Sequence, residues 1–192
     1  MRLGVFGGTF DPLHTGHLIL AEASREQLQL DRVLFIPAGD PWRKSDREIT
    51  PASQRLDMVR LATADNPNFE VDDCEVAHEG PSYTVDTLRS LSQRLPEAEL
   101  YLILGEDALA DLPNWRDPAG IASQAMIAVV PRGGIGMPWL PFPASRLLRV
   151  EMPYIGISAT ELRRRSRRGL SLRYLVPAAV EAYIREQGLY RG

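Results

Sequence analysis

Residues 7 to 17 read Gly7-Gly8-Thr9-Phe10-Asp11-Pro12-Leu13-His14-Thr15-Gly16-His17, directly after the short apolar run 3–6, LGVF. A short apolar run that ends in paired glycines reads as a buried strand entering a tight turn. The periodic stretch 16–29 behind it reads as a helix. Strand, turn and helix therefore meet where the glycines and histidines are concentrated. The N-terminus of such a helix presents unpaired N–H groups and a partial positive charge, which suits a phosphate. His14 and His17 are three apart and project toward one side, where two imidazoles can donate hydrogen bonds to phosphate oxygens. Gly16 leaves room for a nucleobase or phosphate against the backbone, and Gly7 and Gly8 allow close approach of a ligand to the main chain. Neither the G-x-G-x-x-G nor the P-loop spacing is present. Zinc on the two histidines lacks support, because His78 lies in a distant segment and no cysteine is nearby.

The same alternation continues outward. Apolar runs at 33–37, 100–104 and 127–130, with weaker strand patterns at 69–76 and 147–151, alternate with helical patterns. The helical patterns cover 51–65, 84–95, 106–111, 118–124, 158–168 and 177–187. In 84–95, Val85, Leu88, Leu91 and Leu95 keep a helical period and leave Asp86, Arg89 and Arg94 outward. Thr50-Pro51 reads as an N-cap followed by proline at the first helical position. Continuous apolar strands between helices predict an α/β fold: a Rossmann-like, doubly wound parallel sheet with helices on both faces. Ligands bind such sheets beyond the carboxyl ends of the strands, where strand order reverses. The Pro/Gly-rich stretch 131–145 reads as a long surface loop, so 1–192 is expected to form one domain with a C-terminal helical part at about 157–192.

With 192 residues, 44% hydrophobic and 24% charged, the composition is that of an ordinary globular protein. A single cysteine, Cys74, excludes an internal disulfide framework and a multi-cysteine metal cluster. The formal net charge of −3 argues against a dedicated nucleic-acid binder, although residues 163–168 read RRRSRR. No signal peptide or bilayer-length apolar run is present, so a cytoplasmic protein without membrane contact is expected. Lys44 is the sole lysine.

The stretch 7–17 resembles the signature of the HxGH nucleotidyltransferase superfamily, and its Gly-Gly-Thr-Phe-Asp-Pro opening resembles bacterial nicotinate-mononucleotide adenylyltransferases. Residues 157–163, Ile-Ser-Ala-Thr-Glu-Leu-Arg, resemble the family's second mark, I-S-[SA]-T-x-[IL]-R. In its own terms this is an N-cap pair, Ser158 and Thr160, with Arg163 one turn on, where hydroxyls, N–H groups and a guanidinium can converge on a phosphate. The loop 37–44, PAGDPWRK, resembles the family's P-x-x-x-P-P-H-K, with Trp42 and Arg43 where proline and histidine are usual. Ser82-Tyr83-Thr84-Val85-Asp86-Thr87-Leu88 resembles [ST]-Y-T-x-D-T-L, and Gly105-Glu106-Asp107 with Trp115 resembles G-x-D…W.

The resemblance implies transfer of AMP from ATP, with Mg²⁺, to nicotinate mononucleotide. It implies catalytic roles for His14, His17, Lys44 and Arg163. ATP or phosphate contacts fall to Gly7, Gly8, Thr9, Phe10, Gly16, Gly105, Asp107, Ile157, Ser158 and Thr160. The nicotinate mononucleotide would meet Tyr83, Thr84, Trp115 and Arg132, and Mg²⁺ would rest on phosphates and water rather than on protein ligands. Pantetheine-phosphate adenylyltransferases share the two phosphate motifs but not the Gly-Gly-Thr-Phe opening or the Ser-Tyr-Thr segment. A non-catalytic nucleotide-binding module is the reading from another class, and the intact His14, Gly16, His17, Lys44 and Arg163 weigh against it.

Overall fold

The computed structural model describes residues 1–40, 49–130 and 140–191. Among these, six strands form one sheet in the order β3-β2-β1-β4-β5-β6. The strands are β1 (Arg2–Gly8), β2 (Arg32–Pro37), β3 (Phe69–Val71), β4 (Glu99–Gly105), β5 (Ala125–Val130) and β6 (Leu147–Arg149). Every neighbouring pair is parallel, with Val5 level with Leu34 on one side and Leu102 on the other. The helices are α1 (Thr15–Gln27), α2 (Ala52–Thr63), α3 (Thr84–Arg94), α4 (Glu106–Asp111), α5 (Pro118–Gln124), α6 (Ala159–Arg167) and α7 (Ala178–Glu186). Strand order reverses between β1 and β4, which opens the crevice expected for a ligand.

The strands read as unbroken apolar runs because the sheet is covered on both faces. Alternate residues of one strand enter different cores. Leu3 and Val5 of β1, with Leu100, Leu102 and Leu104 of β4, pack with Leu88 and Leu91 of α3 and Ile121 of α5. Phe6 of β1, with Tyr101 and Ile103 of β4, packs with Leu20 of α1, Val59 of α2 and Ile184 of α7. At about 25 cal/mol per Å² of apolar surface, burying one such Leu or Ile contributes about 1.5–3 kcal/mol, so these two layers are the main stabilising term.

Two local readings are corrected. Pro51 is the N-cap of α2 (φ −46°, ψ 140°), not its first helical residue, and no side chain caps this helix. Its carbonyl accepts the first bond, from the Arg55 N–H at 3.1 Å. Thr50 supplies a carbonyl rather than a capping hydroxyl, as described below. The strand expected over 69–76 ends at Val71, after which the Asp72 carboxylate accepts from the Cys74 N–H at 2.9 Å and turns the chain. No helix among the described residues is long and apolar enough to cross a membrane.

Candidate active site

A cavity of about 640 Å³ lies beyond the carboxyl ends of β1 and β4, a size suited to a nucleotide-like ligand. One wall is the turn from β1 into α1. Phe10 takes a left-handed φ of 47° there and lays its ring edge-on to Phe6, with centroids 5.5 Å apart. Gly8 is required beside it, because a Cβ at that position would come within 2.9 Å of the Phe10 ring. His14 is the N-cap of α1, and its N–H donates to His17 Nδ1 at 3.2 Å. The two imidazoles stack with centroids 3.6 Å apart and planes 20° from parallel. His17 faces the cavity, whereas His14 is buried behind it. The pair thus share a side, as their spacing predicts, but only one of them lines this space.

The second phosphate motif docks onto the first through Asp11. Arg163 is buried; its Nη1 donates to the Asp11 carbonyl at 2.7 Å and lies 3.9 Å from the Asp11 carboxylate. Its Nη2 donates to Thr160 Oγ1 at 3.2 Å, and Ser158 Oγ caps α6 by accepting from the Glu161 N–H at 3.3 Å. The Tyr190 hydroxyl donates to Asp11 Oδ1 at 2.7 Å. Burial first, and then the Asp11 carboxylate, push the Tyr190 phenol well above its ordinary range, so it remains a donor.

Behind the same turn stands Arg55 of α2, only 1% exposed. Its guanidinium donates three times at 2.8 Å: Nε to the Thr50 carbonyl, Nη1 to Thr9 and Nη2 to Gly39. The loops that leave β1 and β2 are thereby tied to one helix. Burial pulls the Arg55 pKa down, but a guanidinium starts so high that it keeps its charge. Gly39 cannot carry a side chain here, because a Cβ would lie 1.9 Å from the Glu75 carbonyl oxygen.

The opposite wall comes from α3 and the segment after α4. Tyr83 is the N-cap of α3 and Thr84 its first residue, and both line the cavity. Trp115 is oriented by its indole N–H, which donates to Asp111 Oδ2 at 3.1 Å. The Arg116 guanidinium lies over the Tyr83 ring, 4.5 Å from its centroid. Thr87 Oγ1 donates to Glu75 Oε1 at 2.7 Å, which pins the loop before α3. Burial pushes the Glu75 carboxyl above its ordinary value despite that bond. The half-buried Cys74 thiol is pushed up to about 12, burial being the main cause, and is no nucleophile.

Of the residues singled out from sequence, Gly7, Gly8, Thr9, Phe10, His17 and Tyr83 line this cavity, as do Thr84, Gly105, Asp107 and Trp115. Gly16 instead lines an adjoining cleft of about 70 Å³, together with Gly105, Tyr154 and Ile155. Ile157 packs against the core beside α6, Ser158 caps that helix and Arg163 donates to Thr160, and none of the four lines the cavity. Lys44 and Arg132, with Trp42 and Arg43, lie outside the described residues. Sequence reasoning missed Arg55, Glu75, Asp111, Arg116 and Tyr190. For Arg55 a signal existed: it shares a helical face with Val59 and Ala62, both buried, and an arginine on an apolar face needs partners. Among the described residues no group of three or more His, Cys, Asp or Glu is assembled to hold a metal.

A family model described as cytidylyltransferase-like matches residues 5–165. A Roseiflexus protein described as a "probable nicotinate-nucleotide adenylyltransferase" is 51% identical over 195 residues, covering 98% of each chain. One from Thermomicrobium roseum with the same description is 47% identical over 196 residues, covering 99% of this chain and 92% of that one. The solved structure of Plasmodium falciparum nicotinic acid mononucleotide adenylyltransferase complexed with NaAD superposes with a TM-score of 0.80 at 17% identity, covering 98% of this chain and 97% of that one. That likeness establishes the Rossmann-like fold. By sequence, the chain belongs to the cytidylyltransferase-like family of nucleotidyltransferases and, within it, to the nicotinate-nucleotide adenylyltransferases.

Proposed function

We propose that the chain transfers AMP from ATP to nicotinate mononucleotide, giving nicotinate adenine dinucleotide and pyrophosphate for NAD biosynthesis. The observation that carries this reading is that one cavity holds His17 and the β1–α1 turn on one wall and Tyr83, Thr84 and Trp115 on the other. A phosphate oxygen of the mononucleotide attacks the α-phosphorus of ATP; that P–O bond forms as the bond to the bridging oxygen of pyrophosphate breaks. The attacking phosphate is already an anion, so no general base is needed and catalysis is positioning plus charge stabilisation.

His17, at the N-terminal end of α1, donates to the α-phosphate, and its contact strengthens as charge develops there. His14 holds His17 in register through the stacked pair. Lys44 and the N-terminus of α6 with Ser158 and Thr160 take the β- and γ-phosphates, and Arg163 fixes that motif to Asp11. Gly7, Gly8, Thr9 and Phe10 bring main chain against the nucleotide, joined by Gly16, Gly105, Asp107 and Ile157. The pyridine ring lies against Trp115, between Tyr83 and Thr84, with Arg132 near the substrate phosphate. Mg²⁺ would be held by the ATP phosphate oxygens and water rather than by protein ligands, and would supply charge neutralisation between the phosphates. Acting on small charged metabolites, the enzyme is proposed as cytoplasmic.

Pyrophosphate release from ATP and Mg²⁺ tests the reading, with nicotinate mononucleotide, nicotinamide mononucleotide and phosphopantetheine supplied separately. Release with the pyridine mononucleotides and not with phosphopantetheine is expected. His17→Ala should lower kcat by about 10²–10³-fold while nucleotide affinity stays within about tenfold, as for a contact that strengthens in the transition state. Nucleotide binding without release by the unaltered chain refutes the assignment.

A further inference from the structure

We propose that Arg116 is a specificity-determining residue, whose charge makes the pocket prefer a pyridine ring bearing a carboxylate over one bearing an amide. This rests on the adenylyl-transfer reading and goes on to name the group that reads the ring substituent.

The charge balance of the cavity carries the inference. Its described lining includes the carboxyl groups of Asp11, Asp40, Glu75, Asp107 and Asp111. Among the described lining residues, Arg116 is the only arginine or lysine. Arg163 already offsets Asp11, and burial holds Glu75 toward its neutral form, which leaves Asp40, Asp107 and Asp111 to repel a ligand that adds a ring carboxylate to its phosphate. Neutral amide-bearing rings escape that repulsion, so a pocket without a cation at this end would favour the amide. Arg116 reverses the balance where the ring sits. It follows Trp115 in the chain, and its guanidinium lies 4.5 Å from the Tyr83 ring centroid. A guanidinium held over an aromatic face by cation–π attraction still has N–H groups to offer a carboxylate.

Two further contacts hold the group in place. Arg116 Nη1 lies 3.4 Å from Asp86 Oδ2, and Asp86 is shared with Arg89, whose Nη1 lies 2.7 Å from Oδ1. One carboxylate between two guanidinium groups leaves the cluster with net positive charge. Ser82 lines the same wall, and its buried hydroxyl has no hydrogen-bond partner among the described residues. It is a second donor of the right kind for a carboxylate oxygen. Arg116 is more than half exposed, so solvent screens it and the discrimination it supplies is modest.

The test is the ratio of kcat/KM for nicotinate over nicotinamide mononucleotide, measured by pyrophosphate release on the full chain at low ionic strength. Arg116→Ala should lower that ratio by about five- to tenfold, through a rise in KM for the acid, and Arg116→Lys should restore about half of the loss on a logarithmic scale. Added salt should shrink the ratio of the unaltered chain and leave that of Arg116→Ala nearly flat. Arg89→Ala leaves Asp86 to neutralise Arg116 alone and should lower the ratio in the same direction by a smaller factor than Arg116→Ala. An Arg116→Ala variant that loses the same factor with both substrates has lost structure rather than selectivity, and that result overturns the proposal. So does an unchanged ratio. If the unaltered chain used neither substrate, the adenylyl-transfer reading would fail and this inference with it.

Discussion

Replacing Arg55 by methionine keeps the aliphatic stem in the core and removes the guanidinium. Three main-chain carbonyls, of Thr9, Gly39 and Thr50, then lose donors that sit at 2.8 Å. A hydrogen bond from a charged donor contributes about 1.5–3 kcal/mol, so three at the lower figure give about 4.5 kcal/mol. Relief of the desolvated guanidinium offsets part of that, leaving a net loss of about 3 kcal/mol. For a chain of this length each kcal/mol moves Tm by about 2–4 °C, so Arg55→Met should melt about 6–12 °C below the parent. Circular dichroism on heating measures it, with Arg55→Lys as the comparison. Lysine keeps the charge but cannot span three carbonyls, and it should recover less than half of the loss. The same variant should raise KM for both substrates, because the loops after β1 and β2 are no longer tied to α2. A fall in Tm below about 2 °C would show that the carbonyls find water, and would refute the claim that Arg55 clamps the site.

Glu75 gives a pH prediction. Burial raises its folded pKa above the ordinary 4.5. Above that value the folded chain still binds a proton that the unfolded chain has released, so stability falls as pH rises toward the folded pKa. Glu75→Gln keeps an acceptor for Thr87 and removes this effect, so its Tm relative to the parent should climb as pH rises above the ordinary 4.5; a difference that stays flat disproves the buried-carboxyl argument. Trp115→Ala should raise KM for nicotinate mononucleotide about tenfold, the size of one lost aromatic stack, with KM for ATP changed less than twofold. Equal increases for both substrates in steady-state kinetics would move the ring away from Trp115.

Much of the fold was legible because the central strands β1, β2, β4 and β5 are covered on both faces and read as buried apolar runs. The weaker runs mark edges: β3 and β6 lie at the two ends of the sheet, and each keeps only three residues of pairing. The helix start at Thr50-Pro51 was misplaced by one residue, because proline fits the N-cap as readily as the first turn when no side-chain cap is available. In the site, motifs carried by adjacent residues were legible and partners from distant segments were not. Nothing near Arg116 in sequence says that its guanidinium lies over Tyr83, at the start of α3. His14 and His17 were legible as a pair, but which one faces the cavity depends on the N-cap geometry of α1.

Asp11 draws its partners from far along the chain: Arg163, 152 positions later, and Tyr190, 179 positions later. A polypeptide leaving the ribosome therefore makes its phosphate-binding turn early and cannot complete it until residue 190 has emerged. Contacts of such sequence separation form slowly, and the half-made protein carries the nucleotide motif without the parts that organise it. Competence to bind should accordingly appear late and abruptly during synthesis. A chain stalled after β5 would have most of its sheet and no working site.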